Sequence, residues 1–250
     1  MSQFKINEEL IDRIKKLISS GDKTKLIENL KDVHYADIAE IFELLDITEV
    51  VYIIKIFDKQ KSADALAELD EDIREGIIEN LSEKEIAEKI EELDSDDATD
   101  IISELTEERQ ERVFSQLKDS TLAGDIRELL KYEENSAGGL MAKELVKVNE
   151  NFSISRCLDE IRKQAKNVTR VHSIYVTDSG NKLKGRVSLK DLLTAKPRTR
   201  VKDIYIPKVD YVNVNLEKRE PLTRSFARPW TIIAEDCTPT FPAIAAINGV

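Results

Sequence analysis

The chain has 250 residues, 41% hydrophobic and 35% charged, with 6% aromatics and a net charge of −11. That is enough apolar material for a core in one large domain or two ordinary ones, and the high charge with few aromatics fits helical repeats better than a β-sandwich. Residues 58–117 carry 21 acidic against 7 basic side chains, a balance of −14 that leaves about +3 for the rest, which argues against nucleic acid as a partner and for cations or a basic protein surface.

Two amphipathic segments, near 4–19 and 22–32, open the chain and are divided by Gly21-Asp22. From His34 to Leu117 a twelve-residue unit then repeats seven times: HYADIAEIFELL, DITEVVYIIKIF, DKQKSADALAEL, DEDIREGIIENL, SEKEIAEKIEEL, DSDDATDIISEL and TEERQERVFSQL. The ninth position is always apolar (Phe42, Ile54, Leu66, Ile78, Ile90, Ile102, Phe114), and so is the twelfth (Leu45, Phe57, Leu69, Leu81, Leu93, Leu105, Leu117). A fixed period of this kind means a solenoid, each unit burying its apolar face on its neighbours. The first position is usually a helix N-cap residue: Asp46, Asp58, Asp70, Ser82, Asp94 or Thr106. Twelve is not a whole number of turns at 3.6 residues per turn, so an unbroken helix would let its apolar stripe drift. Restarting at each cap removes the drift and predicts short helices of about eight or nine residues; one or two longer helices with fortuitous caps are the alternative.

After Leu117, an amphipathic segment at 121–134 ends at Asn135-Ser136-Ala137-Gly138-Gly139, where paired glycines stop a helix. The pattern then changes. A strand is predicted at 146–148, a helix at 153–165 capped by Ser153, strands at 171–177 and 183–187 around the turn Asp178-Ser179-Gly180-Asn181, and a short helix at 188–194. A basic linker, Lys196-Pro197-Arg198-Thr199-Arg200, follows.

The segment Tyr132-Glu133-Glu134-Asn135-Ser136-Ala137-Gly138-Gly139-Leu140-Met141 closely resembles the junction motif of the MgtE family of magnesium channels and transporters, which joins an acidic helical N domain to a pair of CBS domains. The resemblance spans about residues 25 to 215. It implies a multi-domain chain, an all-α superhelical repeat domain followed by an α/β CBS-type module. The expected divisions are N-terminal helices at 1–33, the acidic N domain at 34–134, a first CBS domain at 135–200 and an incomplete or divergent second CBS segment at 201–250. In that family the cytosolic part senses Mg2+ and gates a membrane pore that follows it, and no pore is present in these 250 residues. Homodimerisation through CBS domains is also expected, although the altered second segment counts against it. Residues 201–215 look like the opening strand of the second CBS domain. The stretch from Leu216 onward lacks the expected helix, strand and GxxSxxD ending and holds four of the six prolines and the only Trp; it reads as a truncated or frame-shifted end, or as a genuinely divergent one.

Residues Leu93-Asp94-Ser95-Asp96-Asp97-Ala98-Thr99-Asp100-Ile101-Ile102 match a family segment like LSxDDLADAL. The match carries the family's Mg2+-binding acidic pair onto Asp96 and Asp100, and a further acidic ligand 32 residues upstream onto Asp64. At i and i+4 the paired carboxylates share a helix face, about 5–6 Å apart at Cβ, and Mg2+ keeps several waters, so one or two carboxylates per ion suffice. A merely solvated acidic face is the alternative. Gly185-Arg186-Val187-Ser188-Leu189-Lys190-Asp191 resembles the GxxSxxD pattern with which some CBS domains hold an adenine nucleotide, which would give Ser188 and Asp191 phosphate and ribose contacts; a local capping box is the alternative and the favoured one.

Cys157 and Cys237 form neither a CxxC nor a zinc spacing, His34 and His172 have no matched partners, and no nucleophile–base pair, P-loop or dinucleotide fingerprint is present, so no enzyme activity is expected. No apolar run approaches a membrane span and the N-terminus has no signal peptide, which reads as a soluble cytoplasmic chain with reduced thiols. The expected function is the cytosolic Mg2+-sensing regulatory region of an MgtE-like transporter. A protein-interaction solenoid with an acidic docking face, or an adenine-nucleotide-sensing CBS protein, are the alternatives. Small-angle scattering checks the first directly: millimolar Mg2+ compacts the chain and the double variant Asp96→Asn/Asp100→Asn blunts the change, whereas identical profiles with and without Mg2+ would exclude it.

Overall fold

The computed structural model describes residues 6–166, 168, 171, 173–207, 211–215, 232–235 and 244–247. His172, Cys237 and most of the segment after Leu216 lie outside them. Two compact units divide the chain, one of residues up to 93 with 97–123, the other of 94–96 with 124 onward.

The helices of the first unit are α1 (Glu8–Ser20), α2 (Lys23–Leu30), α3 (Tyr35–Glu43), α4 (Ile47–Ile56), α5 (Lys59–Ala67), α6 (Glu71–Glu79), α7 (Glu83–Ile90) and α9 (Glu107–Phe114), with α8 (Ser95–Ser103) from residue 97 onward and α10 (Ser120–Leu129) up to residue 123. Gly21 closes α1 in the left-handed region at φ +67°, a conformation that favours glycine. The repeats and α3–α9 correspond one to one, so the chain does restart its helix every twelve residues. The caps work as expected at Asp58, which accepts the Lys61 N–H at 2.9 Å, and at Ser82, which exchanges bonds with Glu85 at 3.3 and 2.8 Å. Asp70 and Thr106 occupy the N-cap without a side-chain cap bond.

Helices two apart stack, α3 on α5, α5 on α7, α7 on α9 and α4 on α6. The ninth-position residues are all buried, and so are the twelfth-position ones except Leu45 and Leu117 in the terminal repeats, which are half-buried. The eighth position proves to be a third core position: Ile41, Ile53, Ala65, Ile77, Ile101 and Val113 are buried there. Basic side chains from elsewhere in the stack take carbonyls at or near helix ends. Lys61 Nζ donates to the Leu30 and Lys31 carbonyls at 2.6 Å, and Arg109 Nη2 to those of Ile78 and Leu81 at 2.8 and 2.7 Å. Arg74 reaches the Ala67 and Leu69 carbonyls, both at 3.1 Å, and pairs with Glu104. A cation suits the end of a helix, where carbonyls lack partners and the dipole is negative.

The second unit contains β1 (Met141–Ala142), β2 (Val146–Asn149), α11 (Ile154–Gln164), β3 (Ile174–Thr177), β4 (Leu183–Val187), α12 (Leu189–Thr194), a 3-10 turn (Val201–Asp203), β5 (Tyr211–Asn213), β6 (Ile232–Glu235) and β7 (Ile244–Ile247). Strands β2, β3 and β4 form one sheet, β2 parallel to β3 through the crossover helix α11 and β3 antiparallel to β4. Its apolar core joins Val146, Val148, Ile154, Ile174, Val176 and Leu192 with Cys157, a free thiol that burial pushes up to about 11. The other sheet runs β1-β7-β6-β5. Here the sequence reading needs correction. It expects no strand after Leu216, yet that stretch supplies β6 and β7, and β7 pairs with β1 beside the junction motif. Backbone pairing needs no recognisable side-chain signature, which is why motif reasoning misses it.

The junction motif is a tightly bonded turn. Ser136 Oγ donates to the Glu133 carbonyl at 2.6 Å and accepts the Gly139 N–H at 3.1 Å, while the Gly138 N–H reaches the Val214 carbonyl at 2.8 Å. A Cβ on Gly139 would collide with the Glu133 carbonyl oxygen, and one on Gly138 would lie 2.5 Å from the Tyr132 ring. Both glycines are therefore required by close approach. Gly139→Ala must push backbone apart and is expected to cost about 1–3 kcal/mol, read as a lower chemical-denaturation midpoint.

Lys89 stands at the eighth, core position of its repeat and is only 7% exposed. Burial holds its ammonium below the usual lysine range, with Lys59 adding to the effect and Glu88, Asp58 and Glu85 opposing it. A lysine depressed in the folded state costs stability in full at neutral pH, and the cost fades as pH rises through the folded value towards the unfolded one. Lys89→Met is thus expected to raise the melting temperature by a few degrees near neutral pH, on the order of 1 kcal/mol. The gain narrows towards about pH 10; a variant no more stable than the parent at neutral pH would refute this.

Candidate functional site

The sixth repeat supplies α8, and its outward third and seventh positions hold Asp96 and Asp100. Asp96 is half-buried and Asp100 exposed. One turn of helix separates them, so their carboxylates share a face. Asp64 stands at the seventh position of α5 and is half-buried. Its Oδ1 accepts from Gln60 Nε2 at 2.8 Å, and the same amide donates to the Glu92 carbonyl at 3.0 Å. Gln60 and Glu92 are 32 residues apart, the spacing that also separates Asp64 from Asp96.

Among the described residues there is no group of three or more His, Cys, Asp or Glu side chains that could hold a metal ion. The three aspartates are therefore not a closed cage. Each offers a carboxylate oxygen, the hard donor type that Mg2+ takes, with Asp64 and Asp96 half-buried and Asp100 exposed.

Further along, Ser95, the first residue of α8, is fully buried. Its N–H and Oγ donate to the two oxygens of Glu144 at 3.1 and 2.9 Å, and its Oγ accepts the Lys143 N–H at 2.9 Å. Lys143 Nζ is paired with Glu128 on α10 at 2.5 Å. Burial pushes the Glu144 carboxyl above the usual carboxylate range, the Ser95 bonds pull it down, and the charge of Asp94 pushes it up again. Sequence reasoning misses Glu144 because its partner Ser95 lies 49 residues away and no local pattern marks it.

Ser188 and Asp191 are brought together, Ser188 Oγ donating to Asp191 Oδ2 at 2.6 Å and accepting the Asp191 N–H at 3.1 Å. Ser188 is the N-cap of α12, its hydroxyl accepting the N–H of the third helical residue. Gly185 has a local reason as well, since a Cβ there would collide with the Ile206 carbonyl oxygen where β4 bridges to Ile206. His34 caps α3, its Nδ1 accepting the Ala36 N–H at 3.3 Å. No helix among the described residues is long and apolar enough to cross a membrane.

Residues 33–135 match the MgtE intracellular N domain and residues 137–198 match the CBS domain. The magnesium transporter MgtE of Thermus thermophilus is 44% identical over 92 residues, which are 37% of this chain and 20% of that protein. The magnesium transporter MgtE of Enterococcus faecalis is 31% identical over 94 residues, 38% of this chain and 21% of that protein. These matches thus span about a fifth of each curated relative. The crystal structure of the cytosolic domain of the Mg2+ channel MgtE in complex with ATP aligns with a TM-score of 0.82 at 28% identity, covering 95% of this chain and 96% of that one. The soluble part of a magnesium transporter, at 22% identity, shares the fold with a TM-score of 0.78 over 96% and 94% of the two chains. The chain thus matches an MgtE intracellular N domain followed by a CBS domain, and its fold is that of an MgtE cytosolic domain.

Proposed function

We propose that this chain is the cytosolic Mg2+-sensing regulatory region of a magnesium transporter, with Asp64, Asp96 and Asp100 as the carboxylates that take the ion. The observation that carries the reading is the likeness over 95% of the chain to a protein described as the cytosolic domain of a Mg2+ channel. The acidic pair on α8 adds a physical reason. Like charges at i and i+4 destabilise a helix, and a divalent cation between them relieves the repulsion. Weak binding through one or two carboxylates and several waters suits an ion that is sensed at millimolar concentration. Mg2+ shifts the regulatory state only as far as it binds one arrangement better than another, and the pore it controls belongs to the same transporter, in the membrane, with this region on the cytosolic side. The region pairs with a second copy through its CBS module and carries no catalytic activity of its own.

An adenine nucleotide is a second ligand on this reading, because the structural relative was solved with ATP. Ser188 and Asp191 are the residues assigned to it. Their mutual hydrogen bond must open or be shared for a phosphate and a ribose to be held.

Calorimetric titration at constant ionic strength tests both ligands. Mg2+ binds the parent chain, and Asp96→Asn/Asp100→Asn weakens it by about tenfold or more, as expected when ion-binding oxygens are removed; Asp64→Asn weakens it less. A chain in which MgCl2 does no more than an equal ionic strength of KCl would overturn the reading and favour an acidic interaction surface. ATP heat that disappears in Ser188→Ala and Asp191→Asn supports the nucleotide assignment, and ATP binding unchanged by either removes these two residues from it.

A further inference from the structure

We propose that Glu144 is a positioning residue for the cation-binding pair on α8, acting through Ser95. The inference rests on the Mg2+ reading of Asp96 and Asp100 and names a residue outside that set. Three hydrogen bonds carry it. Ser95 N–H and Oγ both donate to the Glu144 carboxylate, at 3.1 and 2.9 Å, and the Lys143 N–H donates to Ser95 Oγ at 2.9 Å. The first N–H groups of a helix have no acceptor within the helix, and an anion there also meets the positive end of the dipole. A carboxylate from a point 49 residues downstream therefore fixes where α8 begins.

Asp96 is the next residue after Ser95 and Asp100 lies one turn further on, so the backbone that Glu144 holds is the backbone that aims both carboxylates. The holder is itself anchored. Glu144 lies in the short connection between β1 and β2, and the neighbouring Lys143 side chain is paired with Glu128 on α10 at 2.5 Å. Within the second unit, Lys143 and Glu144 thus tie Glu128 and Ser95 to the segment that follows the paired glycines. A fully buried serine with its donors and acceptor engaged leaves little freedom at this point. Residues that orient metal ligands typically change metal affinity by about 10–100-fold when removed. Because coupling between two events is reciprocal in free energy, an ion on Asp96 and Asp100 must strengthen the Ser95–Glu144 contact by the same factor.

The test uses the 250-residue chain with MgCl2 as the probe, at ionic strength held constant with KCl. Glu144→Ala and Ser95→Ala are each expected to weaken Mg2+ binding about tenfold. The double variant loses no more than either single one, since both remove the same contact. Glu144→Gln keeps one acceptor oxygen and recovers part of the loss, and together with Ser95→Ala it carries the test if Glu144→Ala does not fold. In the parent chain, Mg2+ is expected to slow hydrogen exchange at the Ser95 amide, a readout that a purely structural contact would not move. Normal Mg2+ binding in the parent with unchanged affinity in Ser95→Ala and Glu144→Gln overturns the role of Glu144 alone. Failure of the parent to bind Mg2+ overturns both this inference and the sensor reading beneath it.

Discussion

The first unit depends on one mismatch, that between a twelve-residue repeat and a helix of 3.6 residues per turn. Twelve residues make about three and a third turns, so a continuous helix would rotate its apolar stripe by roughly a third of a revolution with each repeat. The chain cancels the rotation by ending every helix, and the consequences run through the whole array. Each break exposes N–H groups at one end and carbonyls at the other. Local residues such as Asp58 and Ser82 meet the first need. Lys61, Arg74 and Arg109 meet part of the second, reaching carbonyls outside their own helices. The basic residues of this acidic stretch are few, and these three serve the backbone, Arg74 while also pairing with Glu104.

How much of this was legible in the sequence varied with the physical range of the interaction. The repeat, its caps and the strand–helix alternation of the second unit depend on residues close together in sequence, and the elements formed where those patterns lay. The eighth core position was obscured by Lys89, which breaks an otherwise apolar column, and by Ala65, which is too small to announce a core. The Ser95–Glu144 contact and the pairing of β7 with β1 connect residues far apart in sequence, and no periodicity encodes them.

The candidate ligands were legible for a different reason. The third position of the repeat holds Ala36, Thr48, Gln60, Asp72, Lys84, Asp96 and Glu108, and the seventh holds Glu40, Tyr52, Asp64, Gly76, Glu88, Asp100 and Arg112. Packing does not dictate the residue at either position, so the repeat itself cannot distinguish a ligand from a solvated carboxylate. The ligand assignment of Asp96 and Asp100 comes from the family motif alone, and the fold places both residues on one helix, α8.

The GxxSxxD segment shows the opposite situation, in which structure alone accounts for every motif residue. Gly185 is required by the approach of the Ile206 carbonyl, Ser188 by the N-terminus of α12, and Asp191 by its bond to Ser188. A motif that is fully employed in holding its own backbone carries little independent information about a ligand. Asp96 and Asp100 differ on this point, because a like-charged pair one turn apart works against the helix that bears it. The proposed Mg2+ site draws on that spacing as well as on the family motif, since a hydrated divalent cation carries the opposite charge and takes oxygen donors.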